Sequence, residues 1–302
     1  MRPEEVDDAT AGRLLGDFES FCTERGLPFE RHLTLTPPDD TTLFCIAGMQ
    51  RYKRLFRDPG HRGTLGNVQR CLRLDDLDEL GDGLHWLSFD MLGLFSFREW
   101  SVERTITFWW EWLDRIGVRP DVVTVHPSRR EWGRWHERPS VEVRTDDDCS
   151  WGDGGITGFC TELFVDGLEI GNIVNPLGTC IDVGFGLDRL CLVLGEPPPS
   201  PDEALREAVV RLLDSGYLPS NKRQGYVLRR LLRLMVRRGA GLDHPVWEDE
   251  RRRQERTRDR YHQLLPHHPD RSPEWWWETH GIDVSDVTSG SGTAPNHRRT
   301  TP

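Results

Sequence analysis

The sequence predicts an α+β fold: an antiparallel sheet flanked by helices, followed by an α-helical domain. Three observations carry this. Two apolar runs with strand spacing, "NVQRCLRL" and "LHWLSFDMLGLFSF", flank the acidic turn "DDLDELGDG", which reads as an antiparallel hairpin. A proline-rich break, "GEPPPSPDE" from Gly195 to Glu203, interrupts the chain. Beyond it the periodic segments are helical. The expected layout is a sheet domain over residues 1–195, a helical domain over 203–288, and a disordered tail over 289–302.

Each element has a local reason. Residues 9 to 25 place Leu14, Leu15, Phe18, Phe21 and Cys22 on one helical face. "TTLFCIAGM" reads as a strand, and the hairpin follows it. Ser101 is positioned to cap "VERTITFWWEWLDRIG", a helix with aromatics on its buried side. "DVVTVHP", "SVEVRTDDD", "CTELFVDG" and "LEIGNIVN" read as short strands. "CIDVGFGLDRL" is a strand running into a helix. "DEALREAVVRLLDSG", "RQGYVLRRLLRLMVRRGAG" and "VWEDERRRQERTRDRYHQLL" read as helices, whereas "SGSGTAPNHRRTTP" has no apolar periodicity.

The formal net charge of -11 means that any RNA contact needs a local basic patch. The seven cysteines include no C-x-x-C pair, so they read as reduced and structural; no metal ligands and no zinc are expected. No apolar run is long enough to cross a bilayer, so a cytoplasmic protein is expected, with no membrane partner and no DNA partner.

Three constellations could carry chemistry. Arg73 on one hairpin strand, with His85 and Phe89 on the other, offers a cation for phosphate and a ring for a base. The same pattern also fits an ordinary hairpin with a core Phe and a surface His. Asp182 sits between apolar neighbours, where ionisation costs free energy without a cationic partner. Gly184 and Gly186 would let a ligand approach the backbone. Arg189 lies at a helix start, where the dipole disfavours a cation, so it makes sense facing a polyanion. A structural Asp182–Arg189 or Asp188–Arg189 pair is the competing reading. Finally, Arg229, Arg230, Arg233, Arg237 and Arg238 line a helix whose other face is apolar, which fits either an RNA backbone contact or a solvated face.

Taken in order, these segments resemble the class II aminoacyl-tRNA synthetases, and among them the alanyl-tRNA synthetases, from about residue 10 to about 288. "LFCIAGMQRYKRLF" is similar to the family strand ending in Asn-Ala-Gly-Met, and the hairpin to class motif 2. "CTELFVDG" resembles Cys-x-Glu-Ile-Phe, and "EIGNIV" resembles Glu-Ile-Trp-Asn. "IDVGFGLDRL" resembles motif 3, and "SGYLPSNKRQGYVLRRLLRLMVRRG" resembles the helical tRNA-recognition signature. "WWWETHGIDVSDV" is a fainter echo of the family's Tyr-Asp-Thr-Tyr-Gly-Phe-Pro-x-Asp-Leu.

The resemblance implies a class II synthetase-like sheet domain and a tRNA-recognition domain. It implies ATP-dependent activation of alanine, or a similar small amino acid, with Mg2+ and transfer to tRNA. Arg73 and Arg189 would be catalytic and hold ATP with His85 and Phe89. Asp182, Gly184 and Met49 would hold the amino acid. Asn221, Arg229, Arg230, Arg233, Arg237 and Glu278 would contact tRNA. The chain also departs from the pattern. Its motif 2 loop is short and lacks the family lysine; Cys149 stands near the family tryptophan; "EIGNIVNPLG" replaces a bulkier segment. The editing and C-terminal domains are expected to be missing, as in a truncated or stand-alone relative. The rival readings are an acceptor other than tRNA, such as a small molecule or carrier protein, and a non-catalytic tRNA-binding relative.

Overall fold

The computed structural model describes residues 4–74, 77, 80–82 and 86–288. It divides into two units, one ending at Ala204 and the other starting at Leu205.

The first unit is built on one sheet, ordered β1 (Phe29–His32), β2 (Gly63–Leu72), β3 (Ser88–Phe97), β9 (Cys180–Gly186), β8 (Leu168–Pro176), β7 (Ile156–Val165), β4 (Val122–Val125), β5 (Glu142–Thr145). β6 (Ser150–Asp153) pairs with β7 beside β4. The hairpin forms as expected, with β2 antiparallel to β3 from Gly63↔Phe97 to Leu72↔Ser88. The sheet is not wholly antiparallel, because β1 runs parallel to β2 and β4 parallel to β5. Both exceptions are short strands without a hairpin link to their partners, so no tight turn fixes their direction.

Alternation along the strands makes the two faces different. One carries Val68, Leu92, Leu94, Leu163, Ile173, Ile181, Val183 and Phe185, and is covered by α1 (Glu4–Glu24) and α3 (Val102–Ile116). Trp109 of α3 stacks on Phe185 at 4.0 Å and on Phe18 of α1 at 5.2 Å, fixing both helices to the sheet. The Ser101 side chain accepts a hydrogen bond from Arg104 N at 3.2 Å, and Gly117 ends α3 in the left-handed region, at φ 80°. Below this core His136 is fully satisfied: Trp110 Nε1 donates to its Nδ1, and its Nε2 meets Thr161 Oγ1. Burial pushes its pKa down to about 3, so the ring stays neutral.

The expected strand over "TTLFCIAGM" does not form. The segment instead leads into a 3-10 turn, Gly48–Tyr52, and α2 (Lys53–Arg57). Its backbone finds scattered partners rather than a ladder. Ile46 N donates to Gln50 Oε1 at 2.6 Å, and Cys45 O accepts from Leu72 N at 2.8 Å. A final strand, β9, runs into α4 (Leu187–Val193).

The second unit holds α6 (Arg223–Arg238), α7 (Pro245–Leu264), α8 (Pro273–His280) and α9 (Val284–Thr288); α5 (Pro201–Asp214) begins just before it. Leu228, Leu231, Leu232 and Met235 of α6 are buried. α8 was not expected from sequence, although Ser272 caps it and Gly281 closes it. Its consecutive tryptophans, Trp275, Trp276 and Trp277, hide the helical period. The expected tail over 289–302 lies outside the described residues.

Candidate active site

Side chains on the second sheet face follow one register. Thr124 of β4 pairs with Glu162 of β7, Glu162 with Asn172 of β8, Asn172 with Gly184 of β9, and Gly184 with Gly93 of β3. Paired positions point to the same side, so this row crosses the sheet on one face. Above it lies a cavity of about 330 Å³, lined by Arg73, Phe89, Gly184 and Arg189 together with Glu162, Glu169 and Asp188. At Gly184 the floor is close-packed: a Cβ would meet Met91 Sδ at 2.7 Å.

Arg73 directly follows β2. Its guanidinium lies 4.9 Å from the centre of the Phe89 ring, and its Nε donates to Ile46 O at 3.2 Å. Cation and ring thus share one corner of the cavity, as the alternation in the hairpin suggested. Arg189, in the first turn of α4, donates to both Glu169 O at 2.8 Å and Glu169 Oε2 at 3.1 Å. It pairs with neither Asp182 nor Asp188. Asp188 accepts from Asp90 N at 3.2 Å.

Asp182 shares the cavity face with Gly184, two positions away on β9. It is not among the residues that line the cavity and is only 8 % exposed. Its carboxyl has no hydrogen bond or ion pair among the described residues. Burial alone pushes its pKa up to about 7. Met49 does not line the cavity. It is fully buried in a small cluster with Tyr52, Phe56, Phe95 and Phe97, so it supports that end of the sheet from within. His85 lies outside the described residues.

Sequence reasoning passed over Glu162, although it was visible. Cys160-x-Glu162 on a strand puts both side chains on one face, and Cys149 lies opposite Cys160, with Cys160 N donating to Cys149 O at 2.9 Å. Glu162 accepts from Thr124 Oγ1 at 3.2 Å, and its pKa is raised by burial and by the nearby Glu169 carboxylate.

The arginines of α6 have a different setting from the expected one. Glu250 and Asp286 are buried carboxylates in the second unit. Arg233 donates to both, at 3.1 and 3.2 Å, Arg237 pairs with Asp286, and Arg229 lies 3.7 Å from Glu250. Arg229 also donates to Asn221 Oδ1. Three of the four arginines expected at phosphates therefore neutralise internal carboxylates. Arg230 is exposed and has no ion pair among the described residues. Glu278, on α8, is exposed as well.

Together, fold and cavity bring two arginines and an aromatic ring to one sheet face, with a buried, unpartnered carboxyl two positions along β9 from Gly184. The chain belongs to the class II (A) tRNA synthetases, whose family model matches residues 16–177. It is 27 % identical to the chloroplastic/mitochondrial alanine–tRNA ligase of Oryza sativa subsp. indica, over 78 % of this chain and 32 % of the relative. It is 28 % identical to the alanine–tRNA ligase of Methylococcus capsulatus, over 76 % of this chain and 36 % of the relative. For the alanine–tRNA ligase of Francisella philomiragia the identity is 30 %, over 75 % and 35 %. The chain thus spans about a third of the length of these relatives. Among solved structures it is similar to a pyrrolysyl tRNA synthetase of Desulfitobacterium hafniense, with a TM-score of 0.41 and 14 % identity over 63 % of this chain and 71 % of the other. No helix among the described residues is long and apolar enough to cross a membrane.

Proposed function

We propose that the chain activates alanine, or a similar small amino acid, as its aminoacyl-adenylate and transfers it to a tRNA. The observation that carries this reading is the unpartnered carboxyl of Asp182, two positions along β9 from Gly184, which lines a cavity together with Arg73 and Arg189. An ammonium group is the partner this carboxyl lacks. In this reading Arg73 grips the α-phosphate and the reacting carboxylate, and Arg189 holds ATP from α4. Phe89 stacks on adenine, and His85 reaches the far phosphates. A carboxylate oxygen of the amino acid attacks the α-phosphorus, the bond to the bridging oxygen breaks, and pyrophosphate leaves. No side-chain nucleophile is required; alignment and charge neutralisation lower the barrier. Mg2+ enters with the triphosphate, and the cavity carboxylates Glu169 and Asp188 are hard oxygen donors suited to it.

One observation favours a second reading, in which the acceptor is a small molecule or carrier protein. The α6 arginines that would meet tRNA phosphates are largely committed to Glu250 and Asp286.

Amino-acid-dependent ATP–pyrophosphate exchange, run across an amino-acid panel with and without tRNA, tests both. Alanine, glycine or serine should drive exchange. Arg73→Ala and Arg189→Ala should each suppress it while keeping the wild-type far-UV circular dichroism. Absence of exchange with every amino acid, tRNA present, would overturn the adenylate reading in favour of a non-catalytic binder.

A further inference from the structure

We propose that Cys149, Cys160 and Glu162 form a zinc site in the inner wall of the cavity, with its fourth coordination position open toward the ligand. The two thiol sulfurs and a carboxylate oxygen lie within 4.8 Å of one another. Zinc bonds of about 2.3 Å to sulfur and 2.0–2.2 Å to oxygen bring tetrahedral ligands to roughly 3.5–3.8 Å apart, so closure needs movements of about 1 Å or less.

The sheet builds this convergence rather than a flexible surface. Cys160 and Glu162 alternate on β7, inside the sheet. Cys149 is held against Cys160 by the backbone bond from Cys160 N. Both thiols are buried, whereas Glu162 reaches the cavity lining. The cluster has no lysine or arginine ion-paired to Glu162 among the described residues. Two soft sulfurs with one carboxylate suit zinc better than magnesium or calcium. Zn2+ would replace the two thiol protons, which pass to solvent. Three protein ligands leave a position for water or for a Lewis-base group of the ligand, the arrangement of a reactive zinc rather than a structural one.

Thr124 supplies the outer support. Its hydroxyl donates to Glu162 Oε2 at 3.2 Å and accepts from Cys149 Sγ at 3.0 Å, so one buried side chain orients two of the three ligands. Glu162 lies two strands from Gly184 in the same register row, about 10 Å away. A ligand seated over Gly184 would therefore present its far end to the metal. Zinc binding itself does not depend on the adenylate reading.

The test is metal analysis of the full chain purified under reducing conditions, followed by Co2+ substitution and competition with a chromophoric chelator. The wild type should carry stoichiometric zinc, and its Co2+ form should show thiolate charge-transfer bands with intense tetrahedral ligand-field bands. Cys149→Ser and Cys160→Ser should each weaken the charge-transfer band, and Glu162→Gln should weaken zinc binding. Thr124→Val keeps the side-chain shape and every ligand, so it guards against misfolding as the explanation; it should bind zinc about 10–100-fold more weakly. A wild-type protein with substoichiometric zinc and no cobalt–thiolate band would overturn the proposal. So would unchanged zinc affinity in Glu162→Gln or in the double serine variant.

Discussion

At the scale of single residues, Asp182 is where, under the proposed function, folding and ligand binding would pull against each other. Its ordinary pKa is near 3.8, and burial in the fold raises it to about 7. Below both values the carboxyl is neutral in the folded and the unfolded chain. As pH rises the unfolded chain ionises first, while the folded carboxyl keeps its proton. In that window the folded state binds more protons, so this group's contribution to stability falls with pH. Three pKa units correspond to roughly 4 kcal/mol. Asp182→Asn has no such titration. In urea denaturation it should match the wild type near about pH 4 and gain on it up to about pH 8, by a few kcal/mol. The same variant should lose amino-acid-dependent exchange by at least about tenfold, because a charge-assisted hydrogen bond contributes roughly 1.5–3 kcal/mol. A stability gap that stays flat with pH would mean that the carboxyl is hydrated or paired. A saturating cognate amino acid should restore the wild type's stability at high pH and leave the variant unmoved, which links the strained carboxyl to its partner.

At the scale of elements, two devices explain local departures from the resembled pattern. Gly171 stands where the related segment Glu-Ile-Trp-Asn has tryptophan, and Phe185 stands where the resembled motif 3 pattern, Val-Asp-Thr-Gly-Met-Gly-Leu-Glu-Arg, has methionine. The two positions pair across β8 and β9. A Cβ on Gly171 would sit 2.4 Å from the Phe185 ring. The ring therefore fills room that a side chain at position 171 would claim, and Trp109 stacks on its other side. Gly171→Ala should destabilise the fold by about 1–3 kcal/mol through overpacking. The loss should shrink when Phe185→Met is added; two additive losses would show that the sites are not coupled. The second device is the ion-pair cluster of α6. Arg233→Ala removes hydrogen bonds to both Glu250 and Asp286 and should cost about 1.5–3 kcal/mol. Arg230→Ala should stay within about 0.5 kcal/mol of wild type by thermal or urea melting. Equal effects would mean that the cluster adds nothing. Such partners are invisible in sequence: α6 shows its arginines, but Asp286 comes from α9, some fifty positions on, and the short period of α9 gives no helical signal. By contrast, the hairpin of β2 and β3 and the helix α3 were legible, because alternation, an acidic turn and a serine cap are all local. β1 and β6 were missed because four residues with charged or small members, "FERH" and "SWGD", do not alternate cleanly. In the cavity, Arg73, Phe89, Gly184 and Arg189 were legible through spacing and resemblance, whereas the meeting of Cys149, Cys160 and Glu162 depends on strand register.

At the scale of the whole molecule, charge decides how an acceptor can be recruited. A net charge of -11 opposes a polyanion at long range, so tRNA binding rests on local contacts that overcome the field. With Arg229, Arg233 and Arg237 held by carboxylates, Arg230 is the α6 arginine whose charge remains available among the described residues. If tRNA is the acceptor, Arg230→Ala should weaken every tRNA alike and reduce the salt slope by about 1, as expected of a single phosphate contact. Asn221 has a different role to lose. Its carbonyl accepts from Arg229, and under the tRNA reading its exposed amide would be the group to read a base edge. Asn221→Ala should cost about 1–3 kcal/mol for tRNA-Ala and little for other tRNAs, by analogy with base-edge contacts in DNA. Filter binding of the full chain at low and moderate salt separates the two effects, and parallel pyrophosphate exchange reports the chemistry independently. A chain that forms adenylate normally but binds no tRNA at low salt would sink the tRNA reading. The committed arginines would then make sense as the framework of a helical unit that no longer reads RNA, and the adenylate would have to pass to an acceptor that is not repelled by an acidic protein, such as a small nucleophilic molecule or a carrier protein.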